Sequence, residues 1–292
     1  MIPPMDRVSS IAGTLVAFPA RGLRRPLDGF WVRGARRADT LLLFVHGMGG
    51  NFYRSESKKE MMRQAPRAGI DVLSFNNRGY EKEVADEVFA DCRHDLDAAL
   101  AFGRAQGYRR FVLLGHSTGC QKIAYYQSLR KARDVAALVL AAIGDDYAIA
   151  RRDLGGRYAH WMRVARRLVK SGRGHTILSG KGCLRFSARR FLSVADPRQI
   201  EARLFNLDGP MREFASIRTP MLAVLPEREE FACVPVQEMA RRLRAGSRAR
   251  PFDVEIVPRA DHSFHGVEAD ATRRILLWLA DRMKGRRHRR PT

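Results

Sequence analysis

The run Gly115-His116-Ser117-Thr118-Gly119 sets a serine between two glycines, each two residues away. A serine hydroxyl is a poor nucleophile at neutral pH, so chemistry at Ser117 needs a base, and the base needs an orienting carboxylate. The glycines have a geometric purpose. A sharp strand-to-helix turn projects the hydroxyl from the sheet edge only if its flanking residues are too small to collide. The context fits: Arg110 to Leu114 reads as a buried strand before the turn, and Gln121 to Lys131 as a helix after it.

The base must come from elsewhere in the chain. His262 follows a strand read at Phe252 to Val257 and sits in Arg259-Ala260-Asp261-His262-Ser263-Phe264, a loop before the last helix, where it can swing over Ser117. His265 competes with it. His46 ends a strand, His94 lies within a helix, and His116 is read as pointing elsewhere because adjacent side chains diverge. The acid should follow the strand at Met221 to Leu225, in Pro226-Glu227-Arg228-Glu229-Glu230-Phe231. Glu229 is the first choice, with Glu230 and Glu227 as alternatives, and Asp145 or Asp146 as others. Three glutamates in one loop implies that most face solvent. An acyl-transfer oxyanion needs preorganised N–H donors, each worth roughly 3 kcal/mol. The backbone amides of Thr118 and of Met48, in His46-Gly47-Met48-Gly49-Gly50, are the candidates.

These residues need a scaffold. Apolar residues make up 45% of the 292, enough for a sizeable core. Short apolar runs alternate with amphipathic stretches, which predicts a mainly parallel sheet covered by helices. Early strands are read at 13–18, 30–33, 41–45 and 71–75, helices at 57–68 and 91–106, and a further strand at 135–140. From Asp145 to Thr219 the strand rhythm lapses into a stretch rich in Arg and aromatics (Tyr147, Tyr158, Trp161, Phe186, Phe191 and Phe205). It reads as a helical lid. The expected organisation is a core of 1–144 and 220–283, a lid of 145–219, and a basic disordered tail of 284–292. A helix at 272–282 closes the chain.

The four cysteines, Cys92, Cys120, Cys183 and Cys233, show neither C-x-x-C nor metal-ligand spacing. With no secretory pattern at the N-terminus and no apolar run of membrane-spanning length, a cytoplasmic setting is expected. Net charge is +22, and 45 of the 53 basic residues are Arg. A GC-rich genome explains such a bias; steering of anionic substrates or polyanions is the functional reading. No nucleic-acid motif accompanies the charge. Gly174 to Gly182 fails as a phosphate loop, with one residue too many between glycines and Gly182 where Ser or Thr is required.

Through the segments at 46–50, 115–119 and 260–264, the chain resembles the α/β-hydrolase superfamily over nearly its whole length. The resemblance implies the α/β-hydrolase fold, a chain order of nucleophile, acid and His, and no cofactor. Leu225 to Phe231 resembles the family's G-x-x-D-x-x-V-P acid segment, with Glu229 on the acid and Val234-Pro235 two residues late. A narrower likeness, in Gly115 to Gln121, Asn76 to Gly79 and His46 to Met48, is to fungal siderophore esterases, and it is confined to the first half. The expected function is cleavage of a small-molecule carboxylic ester through Ser117, His262 and Glu229. Acyl transfer or thioester cleavage at the same site, and a non-catalytic polyanion-binding module, are the alternatives.

Overall fold

The computed structural model describes residues 10–284. The chain runs through β1 (Thr14–Phe18), β2 (Leu27–Val32), β3 (Thr40–Val45), α1 (Glu56–Gln64), β4 (Asp71–Phe75), α2 (Cys92–Ala105), β5 (Arg110–His116), α3 (Thr118–Arg130) and β6 (Val135–Ala141). Five helices follow: α4 (Asp146–Leu154), α5 (Tyr158–Lys170), α6 (Ala188–Ala195), α7 (Ile200–Leu204) and α8 (Arg212–Ser216). The strand rhythm then returns with β7 (Met221–Pro226), α9 (Val236–Gly246), β8 (Phe252–Val257) and α10 (Glu268–Lys284).

Among the described residues, the strands form one sheet in the order β1-β2-β4-β3-β5-β6-β7-β8. β1 pairs antiparallel with β2, and β2 antiparallel with β4; the remaining pairings are parallel. Strand side chains alternate between the faces, and both faces are covered. Leu41, Leu43, Phe111 and Leu113 meet Leu96 of α2, Ile123 of α3 and Leu243 of α9. Leu42, Phe44, Val112 and Leu114 meet Met61 of α1 and Leu279 of α10. Between β3 and β5 the strand order reverses, which opens a crevice at their carboxyl ends. Both the His46–Gly50 loop and Ser117 stand there.

Helix ends differ from the sequence reading for local reasons. α1 stops at Gln64 because Pro66 has no N–H to continue the ladder, and a 3-10 turn (Pro66–Ala68) finishes the segment. α10 starts at Glu268 rather than 272, with Glu268 and Asp270 in the first turn, where acidic charge favours the helix dipole. The tail read as starting at 284 begins on the last residue of α10, and 285–292 lie outside the described residues. No helix among the described residues is long and apolar enough to cross a membrane.

Between β6 and β7 the helices divide. Those of α4 to α6 build their own apolar cluster around Leu154, Met162 and Phe191, with Met48, Trp161 and Phe186 packed against it. The later helices join the main body instead: Phe205 meets Phe214 of α8 edge-on at 5.3 Å between centroids, and both sit in the core under α3.

Candidate active site

β5 runs into α3 through Ser117, whose backbone stands at φ 56°, ψ −129°. Such a conformation in a non-glycine residue costs about 1–3 kcal/mol and persists only where the surroundings fix it. Here they do. A Cβ on Gly115 would run into the backbone of Gly119, and one on Gly119 into the Val45 carbonyl. The helix therefore starts at Thr118, three residues before the sequence reading. Thr118 is its first residue, so its amide has no intrahelical acceptor and points forward with the positive end of the dipole. Across the crevice, Gly47 lies so close that a Cβ there would stand 2.7 Å from the Ser117 Cβ. Met48 follows it in a turn closed by Gly50 N–H donating to the Gly47 carbonyl at 3.1 Å.

The acid and base loops continue the β7–β8 pairing. Pro226 is in register with Val257, so the two loops leave side by side. Arg228 N–H donates to the Ala260 carbonyl at 2.8 Å. His262 Nδ1 lies 2.8 and 2.9 Å from the two Glu229 carboxylate oxygens. The Glu229 side chain is 2% exposed and that of His262 12%, so water barely screens the pair. Phe231 sets its edge against the imidazole at 4.7 Å between centroids.

Glu227 and Glu230 are exposed residues, but they are not simply solvated as the sequence suggests. Glu227 accepts from the Arg259 amide at 2.7 Å and Glu230 from the His262 amide at 3.0 Å. Each carboxylate stitches the acid loop to the histidine loop. Asp145 caps α4, accepting from the Ala148 amide at 3.0 Å, and also takes the Leu207 amide at 2.9 Å. Asp146 accepts from Gln121 Nε2 at 3.0 Å, and burial raises its pKa.

The other histidines have separate partners. His265 faces Asp261 at 2.8 Å, and that carboxylate raises its pKa. His46 Nδ1 donates to the Gly47 carbonyl at 2.8 Å, and burial holds its pKa well below the ordinary range. His94 stays on α2. His116 turns to the histidine loop and not to Ser117: its Nε2–H donates to the His262 carbonyl at 2.9 Å, and its ring tilts against that of His262 at 5.2 Å. Burial, then the His262 charge, lowers its pKa to about 4. The bracing role of His116 left no mark in the sequence, because it depends on a loop 146 residues away.

Ser117, Thr118, Met48 and His262 line one cavity of about 720 Å³. Among the described residues no hydrogen bond joins Ser117 Oγ to the His262 ring. Ile149 and Ala150 of α4, Phe186, and Val194 of α6 supply an apolar wall opposite the strand ends.

Residues 42–275 match the family described as "Alpha/beta hydrolase family". A UPF0613 protein of Schizosaccharomyces pombe is 21% identical over 274 residues, spanning 84% of this chain and 86% of that protein. Siderophore hydrolase EstB from Aspergillus fumigatus superposes with a TM-score of 0.66 at 17% identity, over 94% of this chain and 98% of that one. A monoacylglycerol lipase of Paleococcus ferrophilus gives 0.64 at 17% identity, over 88% and 99%. At these identities the solved structures show a shared fold.

Proposed function

The chain belongs to the alpha/beta hydrolase family, and from that premise we propose that it is a serine hydrolase cleaving a carboxylic ester through Ser117, His262 and Glu229. One observation carries the reading: His262 turns Nδ1 to a buried carboxylate while sharing a cavity wall with a serine held in a strained turn.

The mechanism follows from those positions. Glu229 holds Nδ1 protonated, which leaves Nε2 as the base. His262 takes the Ser117 proton as Oγ attacks the acyl carbonyl. The Thr118 and Met48 amides receive the oxyanion. The tetrahedral intermediate expels the alcohol, protonated by His262, and an acyl-enzyme remains. Water, activated by the same imidazole, releases the acid. The Ser117–His262 hydrogen bond need only tighten in the reacting complex. Helices α4 to α6 act as the lid that shapes the acyl or alcohol pocket. Four free thiols support a reducing, cytoplasmic setting.

A fluorophosphonate probe tests this directly. It labels the wild type and not S117A; equal labelling, or none in either, overturns the reading. A screen of p-nitrophenyl esters by chain length, beside an ester-linked hydroxamate, then sorts substrates. A competing alcohol in the assay separates hydrolysis from acyl transfer.

A further inference from the structure

Lys58, in the first turn of α1, lines the cavity that holds Ser117 and His262 and is only 4% exposed. Its ammonium donates to the Asn51 carbonyl and stands 5.6 Å from the centre of the Phe44 ring. Among the described residues no carboxylate lies within ion-pair distance of it. A buried charge without a counter-charge is costly. One carbonyl and a ring face offset only part of that, and burial lowers the Lys58 pKa to about 8.

The carboxylates that share the cavity are engaged elsewhere. Glu56 faces Lys59 at 2.6 Å, Asp153 faces Arg152 at 3.0 Å, and Asp146 takes its hydrogen bond from Gln121. An ammonium has three N–H donors, and Asn51 uses one. Arg54, which also lines the cavity, faces Glu81 at 3.5 Å.

We propose that Lys58 binds an anionic group on the substrate, so that the ester cleaved here carries a carboxylate in its acyl or alcohol half. The proposal rests on the esterase reading and narrows it. The buried cation is costly alone and is compensated when an anion enters.

The test uses two isosteric pairs, followed by acid release at constant pH. Methyl hydrogen succinate against methyl succinamate puts the charge in the acyl half; O-butyrylglycolate against O-butyrylglycolamide puts it in the alcohol half. The wild type is expected to favour the charged member of one pair by about tenfold or more in kcat/KM, the scale of a hydrogen bond to a charged group. The pair that responds identifies the half facing α1. K58M loses that preference and K58R keeps part of it; K58Q serves where K58M does not fold. Equal kcat/KM within both pairs in the wild type overturns the proposal. So does an equal loss on charged and neutral esters in K58M, which would assign Lys58 to bracing the Asn51 carbonyl. Fluorophosphonate labelling run alongside separates the two readings. A labelled enzyme without charge preference sinks only the Lys58 proposal, whereas an enzyme neither labelled nor active on any ester sinks the esterase reading as well.

Discussion

The two walls of the cavity are fixed in different ways. On the strand side, backbone does the positioning. Gly115, Gly119 and Val45 crowd one another around Ser117, and the loops after β7 and β8 are joined by amide donors from Arg228, Arg259 and His262. On the side of α4 to α6, buried charge does it. Arg190 of α6, fully buried, pairs with Glu201 of α7 and reaches Glu87 at 3.3 Å. Glu87 also takes Lys122 of α3 at 2.5 Å, and Ser193 donates to Glu201 at 2.5 Å. One network thus ties the helical wall to α3, the helix that begins just after Ser117. Backbone contacts tolerate almost no substitution, whereas charge pairs can be exchanged. On the proposed reading, reaction geometry belongs to the first kind of wall and pocket shape to the second.

The largest expected effects test the strand side for chemistry without a stability role. S117A should cut kcat by about 10⁶-fold, the scale for removing a serine nucleophile. Its melting temperature should stay near that of the wild type, because alanine keeps the Cβ at φ 56° and leaves the turn as it was. E229Q should cost about 10⁴-fold in kcat, because an amide no longer selects the imidazole tautomer with Nδ1 protonated. Initial rates on one ester with thermal unfolding of each variant check both. A tenfold or smaller loss in E229Q, an order of magnitude well below that expectation, would return Asp146 or Glu230 to consideration as the acid.

The helical side should show the reverse. R190M leaves Glu201 buried without its counter-charge and Glu87 with Lys122 alone, a loss of about 3–5 kcal/mol. In a chain of this size that lowers the melting temperature by roughly 6–20 °C. The rate at low temperature should fall far less than in E229Q. If R190M melts like the wild type, the network does not hold the wall, and the contrast between the two sides fails. The quadruple variant R190M/E201M/E87M/K122M should recover stability, since a buried ionic cluster replaced whole by apolar groups is often no worse.

How much of this was legible follows the same division. Ser117, Glu229 and His262 could be picked out because each ends or follows an apolar strand, and strands announce themselves by composition. Met48 and Thr118 are candidates read from those strand ends, and both line the cavity. Glu227 and Glu230 are exposed, as their crowding in one loop implies, but their amide partners are not legible, since only the register of Pro226 with Val257 brings those partners within reach. Arg190 was invisible for a related reason. One of 45 arginines, it pairs with residues 11 and 103 positions away, and nothing local distinguishes it from Arg189, which is partly exposed and pairs with Asp86. Phe205 looked like lid and proved to be core because α7 turns back under α3, a path set by packing and not by periodicity.

The smallest expected effect concerns His116, which stands on the strand side yet works through a side chain. H116F removes the donor to the His262 carbonyl and should lower kcat/KM by about tenfold or less, a cost near that of one neutral hydrogen bond. Its clearer signature is in stability against pH. The ordinary histidine value is 6.5, and burial lowers His116 to about 4 in the fold. Between those two values the unfolded chain binds a proton that the folded chain refuses. His116 neutrality is therefore without penalty above about pH 6.5, and stability declines as pH falls through 6 and 5 toward 4. H116F lacks that linkage, so its denaturation midpoint should fall less steeply over the same window than that of the wild type. His46, also held neutral by burial, keeps some slope in both. Parallel curves for the two proteins would mean that His116 exchanges protons freely with solvent. It would then be a bystander at the mouth of the cavity, and the strand side would owe its order to backbone contacts alone.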